Sequence, residues 1–424
     1  MDTDTVTILR STIFFLFLGL LSAGHAGTRE VSTAAQLVAA IDSALPGDVI
    51  TLVPGNYDIS ATRIRVNRAG TDSQPITVRA PVLGDSLIRW NSAGSFVEGF
   101  LVTAPWWRFE NLDIEGVCDD DNDCEHAFHL VGAAEFTILR GNRLHGFNAM
   151  LKANGSNGEF PDDVLVERNV LFNPAPRNTA RPVTPIDVVG GRRWVVRANT
   201  IYDFAKAGGN QISYAAFLKG HSKNGIIERN LVICERFHSG QTRLGLSLGG
   251  GGTSPDSVCE DGSCSPEHEG GILRNNLIVN CPADVGIFLN EAASSQVHHN
   301  TLYNTTGIDV RFAASSVDLR NNLLGGEIRN RDGGTSTEAD NLENLSNALM
   351  ESWFSDPANA DFSLLDGSAL VDQGVALTTV SRDYCDAPRG ALVVDLGALE
   401  YSRSSQCETT VGGGQSQIFS DGFE

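Results

Sequence analysis

The sequence contains few of the residues that usually build a large hydrophobic core. Aromatic residues make up 7% of its 424 residues and there are 3 methionines, so one conventional core is not expected. The formal net charge of −21 disfavours nucleic acid and acidic lipid surfaces as partners. The apolar stretch at residues 13–23 is too short to cross a bilayer, so no transmembrane segment is expected after processing of the N-terminus. A solenoid, which grows by repetition, fits this composition.

A short repeat fills the centre of the chain. It consists of an aliphatic residue, two variable positions, Asn, one variable position and another aliphatic residue, as in LRGNRL at 139–144. Units this short must stack on their neighbours to bury an apolar face, and their Val, Ile and Leu content favours strands. The sequence therefore predicts an all-β solenoid with parallel sheets and a ladder of hydrogen-bonded asparagines. The ladder would contain Asn142, Asn169, Asn199, Asn230, Asn276, Asn300 and Asn322.

Both ends of the chain differ from the repeats. Residues 1–26 are predicted to be a secretory signal peptide, because small residues follow the apolar stretch where a signal peptidase would cut. The β-helix domain, 27–401, would open with a capping helix at 31–47 and finish with a closing segment at 361–401 that covers the last coil. The Gly- and Gln-rich segment 402–424 is interpreted either as a sorting or anchoring signal or as an inert tail.

The eight cysteines agree with export, because oxidising compartments favour disulfides. Cys234 lies four residues after Asn230 and Cys281 five after Asn276, so the two cysteines should lie on adjacent coils about 4.8 Å apart and can pair. The other predicted pairs close local loops: Cys118 with Cys124, Cys259 with Cys264, and Cys385 with Cys407.

The segments STAAQLVAAIDSALPGDVITLVPGNYDI at 32–59 and GTDSQPITVRA at 70–80 resemble the opening of polysaccharide lyases of the alginate lyase and chondroitinase B type. The resemblance covers roughly residues 31–325 and implies a right-handed parallel β-helix with an N-terminal helical cap. In that family a Lys removes the proton next to a uronate carboxylate, an Arg assists, and calcium held by acidic residues neutralises the carboxylate.

The resemblance also implies site residues. AAFLKGHSKNGIIERN at 215–230 is similar to the strand that carries the family Lys and places that role on Lys219. The family's calcium-binding carboxylates would fall at 211–214, where this chain has QISY, and its Arg would fall at 244–252, where this chain has Gly. Arg243 is the nearest substitute for that Arg. The alternative is that Lys219 is a solvated side chain with no catalytic role.

Two further basic residues are predicted to bind substrate, Lys152 and Arg311. Arg311 stands 11 residues before Asn322, as Lys219 stands 11 before Asn230, so Arg311 and Lys219 should share one column of the same face. Three coils separate them, or about 14 Å. They could contact one long polyanion but could not share a reaction centre.

Two insertions carry further candidates. In CDDDNDC at 118–124, Asp119, Asp121 and Asp123 alternate and are predicted calcium ligands; the alternative is a solvated acidic turn, because the Gly and distal Glu of an EF-hand are missing. The second insertion, residues 249–269, contains Glu267, predicted to bind substrate, and His268, predicted to act as an acid or base. The alternative there is a charged loop.

Two functions remain open at this point. One is a lyase-like enzyme that cuts an acidic or neutral glycan in a groove around Lys219, Arg243 and the second insertion. The other is a non-catalytic β-helix that binds glycan or mediates adhesion, which the missing carboxylates and Arg favour. The fold is compatible with both. In either case the expected partner is a polysaccharide, the expected cofactor is Ca²⁺, and the protein is expected to be a monomer that is secreted, to the cell surface, the medium or the periplasm.

Overall fold

The computed structural model describes Met1 and residues 27–91, 96–250, 252–365 and 369–401. The predicted signal peptide, apart from Met1, and the 402–424 tail lie outside these residues. The described chain forms a right-handed parallel β-helix with three long sheets in which every pair of neighbouring strands is parallel. The predicted fold class is therefore confirmed.

Each complete coil of the helix contributes one strand to each sheet, and sheet A has one further strand at either end. Within the described residues, sheet A contains these strands: Thr28–Val31, Val49–Leu52, Ile76–Arg79, Trp107–Glu110, Ile138–Arg140, Leu165–Glu167, Val195–Arg197, Ile226–Glu228, Ile272–Arg274, Ser295–His298, Ser316–Arg320 and Thr335–Ala339. Sheet B contains Gly55–Ile59, Ser86–Trp90, Asp113–Gly116, Arg143–His145, Val170–Phe172, Thr200–Tyr202, Leu231–Ile233, Leu277–Cys281, Thr301–Thr305 and Leu323–Leu324.

Sheet C carries the candidate site on its outer face. Its described strands are Arg63–Val66, Gly99–Val102, His126–Val131, Ala149–Asn154, Ile186–Val189, Ile212–Lys219, Thr242–Leu248, Ile287–Asn290, Gly307–Arg311 and Glu327–Arg331. Alternate residues point inward, because side chains along a strand alternate between the two faces. One inward column is fully buried and entirely apolar: Leu151, Ile186, Ala216, Leu246 and Ile287. The short strands Ser222–Lys223, His268–Glu269 and Ala292–Ala293 form a small parallel sheet at the turn from sheet C to sheet A.

The repeated asparagines form the predicted ladder where sheet A turns into sheet B. Each side-chain amide donates to Oδ1 of the asparagine one coil later, at 2.9 Å from Asn142 to Asn169 and 3.1 Å from Asn300 to Asn322. All seven are at most 1% exposed. The residue before each of them has a positive φ, between 53° and 66°, which turns the chain sharply. The ladder also reaches Asn341, which the pattern misses because no aliphatic residue occupies the repeat positions around it.

The helix at the N-terminal end is shorter than predicted and runs over Ala34–Asp42. The Thr33 hydroxyl caps it by accepting a hydrogen bond from the Gln36 N–H at 3.2 Å. Leu37 is completely buried and belongs to the solenoid core, so the helix covers the apolar end of the first coil.

The C-terminal segment packs along the outer face of sheet B, where Met350 and Phe362 share a buried cluster with Leu277 and Tyr303. It also contacts the coil of Asn321, because the Gly397 N–H donates to the Asn321 carbonyl and the Val375 N–H to Asn321 Oδ1. The segment contains a helix and two antiparallel strand pairs: Asn347–Glu351, Phe354–Asp356 with Asp361–Leu364, and Gly374–Val375 with Val393–Val394. Its packing explains why outward positions of sheet B carry apolar residues.

Three predicted disulfides are confirmed, with Cα–Cα distances of 5.7, 5.0 and 5.2 Å: Cys118–Cys124, Cys234–Cys281 and Cys259–Cys264. Cys385 is also disulfide-bonded, and Cys407, its predicted partner, lies outside the described residues. In the part of the chain that the structure describes, no helix is both long and apolar enough to cross a bilayer.

A lysine-lined cleft as the candidate functional site

A cleft of about 740 Å³ lies where strands of sheet C end. Its floor comes from three successive coils and contains Lys152, Asn154, Val189 and Lys219. One wall is the turn after Asn154, and the other is residues 252–262 of the second insertion. The cleft therefore joins Lys219 to the insertion, as the sequence predicted.

Lys219 is the last residue of its strand, and its side chain points away from the core. The aliphatic stem lies against Gly250, where an added Cβ would be 2.9 Å from Lys219 Cδ. Lys219 Nζ lies 4.7 Å from the centre of the Phe217 ring. Among the described residues, the ammonium makes no hydrogen bond and no ion pair. The cleft thus contains a positive charge that the protein does not compensate directly.

The surroundings of Lys219 favour its neutral form. Burial lowers the pKa of Lys219 below the usual lysine value, and the positive charge of Lys152 acts in the same direction. The carboxylates of Asp187 and Glu267 oppose this shift without cancelling it. A lower pKa increases the fraction of unprotonated amine, which is the form able to accept a proton.

Lys152 lies in the same cleft but is held in an ion pair. Lys152 Nζ lies 2.7 Å from Asp187 Oδ1, and Asp187 is 5% exposed. Asp187 pairs in register with Phe217, so Lys152 lies two strands away from Phe217 on the same outer face. Because Asp187 fixes its position, Lys152 offers a localised positive charge near Lys219.

Asn154 is a cleft residue that sequence reasoning missed. Its Oδ1 accepts a hydrogen bond from His129 Nε2 at 2.7 Å, and His129 Nδ1 lies 3.4 Å from Glu98 Oε1. Burial lowers the pKa of His129, although Asn154 and Glu98 oppose the shift. Glu98, His129 and Asn154 come from three successive coils, so this series of polar contacts follows only from the register between coils. The hydrogen bond from His129 fixes the orientation of the Asn154 amide at the cleft floor.

Arg311 lies in the predicted column but outside the cleft. The register of sheet C places Lys219, Gly249, Asn290 and Arg311 at successive equivalent positions, as the spacing predicted. Arg311 Nε lies 2.6 Å from Asp332 Oδ2, so its charge is compensated within the protein. The structure does not bring Arg311 to the candidate site.

Arg243 does not converge with Lys219. It pairs in register with Ser213, six residues before Lys219, or about 20 Å along the strand. Arg243 is 1% exposed and donates to the backbone carbonyls of Cys234 and His238. The residues that follow it toward the cleft end in a glycine run. Among the described cleft residues the one guanidinium is that of Arg192, which comes from an earlier coil and is paired with Glu260 and Asp261.

His268 and Glu267 lie behind the cleft wall rather than in the cleft. His268 is completely buried, its Nδ1 lies 2.6 Å from Ser222 Oγ, and burial lowers its pKa to about 3. A neutral, enclosed imidazole cannot exchange protons with a bound sugar. Glu267 accepts hydrogen bonds from the Gly220 N–H at 2.7 Å and the Thr253 hydroxyl at 2.9 Å, so it anchors the insertion to the solenoid.

The aspartates of the 118–124 loop do not form the predicted calcium site. Asp121 Oδ1 lies 2.7 Å from Arg177 Nη1, and Asp121 Oδ2 accepts a hydrogen bond from the Asn178 N–H. Asp121 therefore fastens a neighbouring loop. Asp119 faces solvent, and neither Asp119 nor Asp123 belongs to a cluster of metal-ligating side chains among the described residues. No group of three or more His, Cys, Asp or Glu side chains suited to a metal ion occurs within the described ranges. Calcium does not fit these residues.

Salt bridges dock the second insertion over earlier coils. Glu260 accepts a hydrogen bond from the Gly191 N–H at 2.9 Å and pairs with Arg192. Asp261 pairs with Arg192 at 3.0 Å and with Lys223 at 2.7 Å. The Cys259–Cys264 disulfide closes the tip of the insertion, so this wall of the cleft has a defined position.

Comparison with known proteins supports the fold. Neither a protein-family model nor a curated protein matches the sequence. The structure is similar to that of pectate lyase Pel9A, with a TM-score of 0.59 and 16% identity over 89% of this chain and 97% of that chain. It is also similar to the GH136 lacto-N-biosidase from Eubacterium ramulus, with a TM-score of 0.50 and 11% identity over 74% and 67% of the chains. An alginate lyase from Paenibacillus sp. str. FPU-7 matches with a TM-score of 0.37 and 15% identity over 76% and 96%.

The fold is thus the right-handed parallel β-helix also found in polysaccharide lyases, as the sequence resemblance implied. At these identities the likeness shows the fold alone. The chemistry has to be argued from the residues of the cleft.

Proposed function

We propose that the protein binds an acidic polysaccharide in the lysine-lined cleft and cleaves it by β-elimination, with Lys219 as the base. The observation that carries this proposal is the Lys219 ammonium, which lines the cleft without a hydrogen bond or ion pair among the described residues. Burial lowers its pKa, which suits a base. The fold shared with pectate lyase Pel9A supports a glycan as the ligand.

The residues of the cleft account for the main steps of the reaction. The unprotonated Lys219 amine takes the proton from the ring carbon next to the uronate carboxyl group. The electron pair of that C–H bond forms a double bond to the neighbouring ring carbon, whose bond to the glycosidic oxygen breaks. The departing oxygen then takes up a proton. Lys152 supplies positive charge to the developing enolate, which is the charge that must be stabilised in the transition state.

A second candidate is glycan binding without catalysis. It is favoured by the charge balance of the cleft, because Lys152 is paired with Asp187, and Arg192 with Glu260 and Asp261. Of the described cleft residues, Lys219 alone then offers uncompensated positive charge to a carboxylate. Lys219 cannot quench the carboxylate and accept the proton at the same time, because only its uncharged amine is a base. If the paired Lys152 does not quench the carboxylate enough for proton removal, the cleft would bind the sugar and leave its bonds intact.

The experiment compares lysine variants on a panel of alginate, polygalacturonate and chondroitin sulfate. Formation of the unsaturated uronate is followed by its ultraviolet absorbance, with wild type, Lys219→Met and Lys219→Arg. Lys206→Met is the matched control, because Lys206 is buried away from the cleft and bonded to Asn210. An absorbance rise that both Lys219 variants lose and the control keeps is expected. Retention of a polymer without any rise would favour the binding function, and no interaction with any polymer would contradict both.

Export remains part of the proposal. Disulfides are typical of oxidising compartments, and the described residues form three of them. We propose that the protein is secreted and acts as a monomer. Fractionation of producing cells, with the protein recovered outside the cytoplasm and eluting at the mass of one chain, is the expected result.

A further inference from the structure

The floor of the cleft stops at Lys219. Asn154, Val189 and Lys219 occupy equivalent positions on three successive coils, and Gly249 is the next residue of that column. There the chain leaves sheet C and passes over the outer face, so that Gly250 lies against the Lys219 stem. Gly252 and Thr253 continue along the cleft. We call Gly249, Gly250, Gly252 and Thr253 the wall segment.

A buried carboxylate holds the wall segment in place. Glu267 is 2% exposed and accepts hydrogen bonds from the Thr253 N–H at 3.2 Å, from its hydroxyl at 2.9 Å, and from the Gly220 N–H at 2.7 Å. Gly220 directly follows Lys219, whereas Glu267 belongs to the next coil. The same carboxylate therefore joins the wall segment to the coils on both sides, so the wall is a fixed part of the cleft.

Among the described residues, the outer face of sheet C beyond the wall segment does not line the cleft. Ser247 is 0% exposed, Phe288 6% and Asn290 7%, and none of them lines the cleft. Farther along, Asp309 pairs with both Arg329 and Arg331, at 2.6 and 2.7 Å. With the pairing of Arg311 described above, each arginine of the last two strands of sheet C has a carboxylate partner within the protein.

We propose that the cleft receives only the end of a polyuronate chain. The terminal sugars would lie between Lys219 and the wall segment, and the rest of the chain would leave past Asn154 toward the N-terminal coils. The volume of about 740 Å³ lies in the range of small-ligand pockets, whereas a long open groove would extend over many coils. This inference takes its ligand, a polyuronate, from the proposed function. It adds that the protein acts at the ends of the polymer chains.

The test uses size-fractionated polygalacturonate and alginate, offered to the wild-type protein at equal mass. If only chain ends enter, the number of protein molecules bound and the initial rate rise in proportion to the number of ends, so a tenfold shorter fraction gives about a tenfold increase. Products of one short size appear from the first minutes, while viscosity falls slowly. Binding that follows total mass regardless of length would overturn the inference.

The outcomes separate this inference from the proposed chemistry. Rapid loss of viscosity with products of many sizes would leave β-elimination standing and overturn chain-end binding. Binding in proportion to the number of chain ends, without any unsaturated product, would support chain-end binding and overturn β-elimination. If neither polymer binds, both ideas fail.

Variants of the wall segment give a second test. Replacing residues 250–265, which include Gly250, Gly252 and Thr253 of the wall segment, by a short Gly-Ser linker would open the cleft toward later coils, and products of intermediate size are expected to increase severalfold. Thr253→Val, which removes one hydrogen bond to Glu267 and keeps the side-chain volume, is expected to act in the same direction with less risk to folding. Ser263→Ala, in the same insertion but outside the cleft lining, is the control. Unchanged product sizes in folded variants of both kinds would contradict the role of the wall.

Discussion

Asp187 Oδ1 lies 2.7 Å from Lys152 Nζ, and the same carboxylate raises the pKa of Lys219 against the lowering effect of burial. One acidic side chain therefore controls both lysines of the cleft. It holds Lys152 in position and favours the protonated form of Lys219. Asp187 itself is 5% exposed, so its influence is not lost to solvent.

Asp187→Asn is expected to lower the pKa of Lys219 further, because the opposing negative charge disappears while burial remains. The chain has four lysines, Lys152, Lys206, Lys219 and Lys223, so reductive methylation with a labelled methyl group gives signals that can be assigned and titrated one by one. The Lys219 signal should titrate at lower pH in the variant, with Lys206 unmoved as the internal reference. A Lys219 pKa that stays constant or rises would show that Asp187 does not act on it.

The asparagine ladder should contribute strongly to stability in its interior. Asn230→Ala removes hydrogen bonds to Asn199, Asn276 and the Val196 carbonyl and leaves their buried groups unsatisfied. The free energy of unfolding is expected to fall by about 3 kcal/mol or more, since each unsatisfied buried group costs about 1–3 kcal/mol. Asn341→Ala, at the less buried end of the ladder, is the control and should cost less. Equal losses in urea titrations would contradict a cooperative ladder.

The disulfides should differ in their effect on global stability. Cys234–Cys281 closes a separation of 47 residues and Cys259–Cys264 one of 5. Loop-closure entropy gives about 4 kcal/mol for the first and about 2 kcal/mol for the second. Paired Cys→Ala variants, compared by chemical denaturation, should follow this order. A larger loss from the short loop would mean that the insertion contributes more to folding than its position suggests.

Stability should fall as the pH drops below about 6.5, the usual histidine pKa. Burial lowers the pKa of His268 to about 3 and that of His299 to about 2. The unfolded chain binds protons at these residues below pH 6.5 and the folded chain does not, so acid favours unfolding. His268→Gln should reduce the slope of melting temperature against pH between neutral pH and pH 5, whereas His238→Gln, outside the core, serves as the control. An identical slope in all three proteins would rule out this role for His268.

Structural features that recur from coil to coil could be predicted from the sequence, whereas residue positions that depend on packing between coils could not. The asparagine ladder, the strand column shared by Lys219 and Arg311, and the Cys234–Cys281 bridge all follow from spacing within coils, because a fixed repeat length fixes the register. The positions of Arg243 and His268 could not be derived in this way. Arg243 lies at the opposite end of its strand from the cleft, and the enclosure of His268 depends on packing with neighbouring coils.

The contacts that shape the cleft could not be predicted from the sequence for a similar reason. The contact between Glu260 and the Gly191 N–H joins residues 69 positions apart and arises only when the insertion folds back over earlier coils. The hydrogen bond between His129 and Asn154 likewise needs the register of two adjacent coils. Neither contact leaves a local pattern in the sequence, whereas Lys219 was predicted because its segment resembles a family motif.

Chemical rescue tests the central claim most directly. Lys219→Ala removes the proposed base and leaves a space next to Gly250 and Phe217 that a small primary amine can enter. Formation of unsaturated uronate would be followed with and without added methylamine or ethylamine, over a range of pH. We expect wild-type activity, loss of activity in Lys219→Ala, and partial recovery that increases with the concentration of unprotonated amine. Full activity of Lys219→Ala without any amine would contradict the assignment of Lys219 as the base.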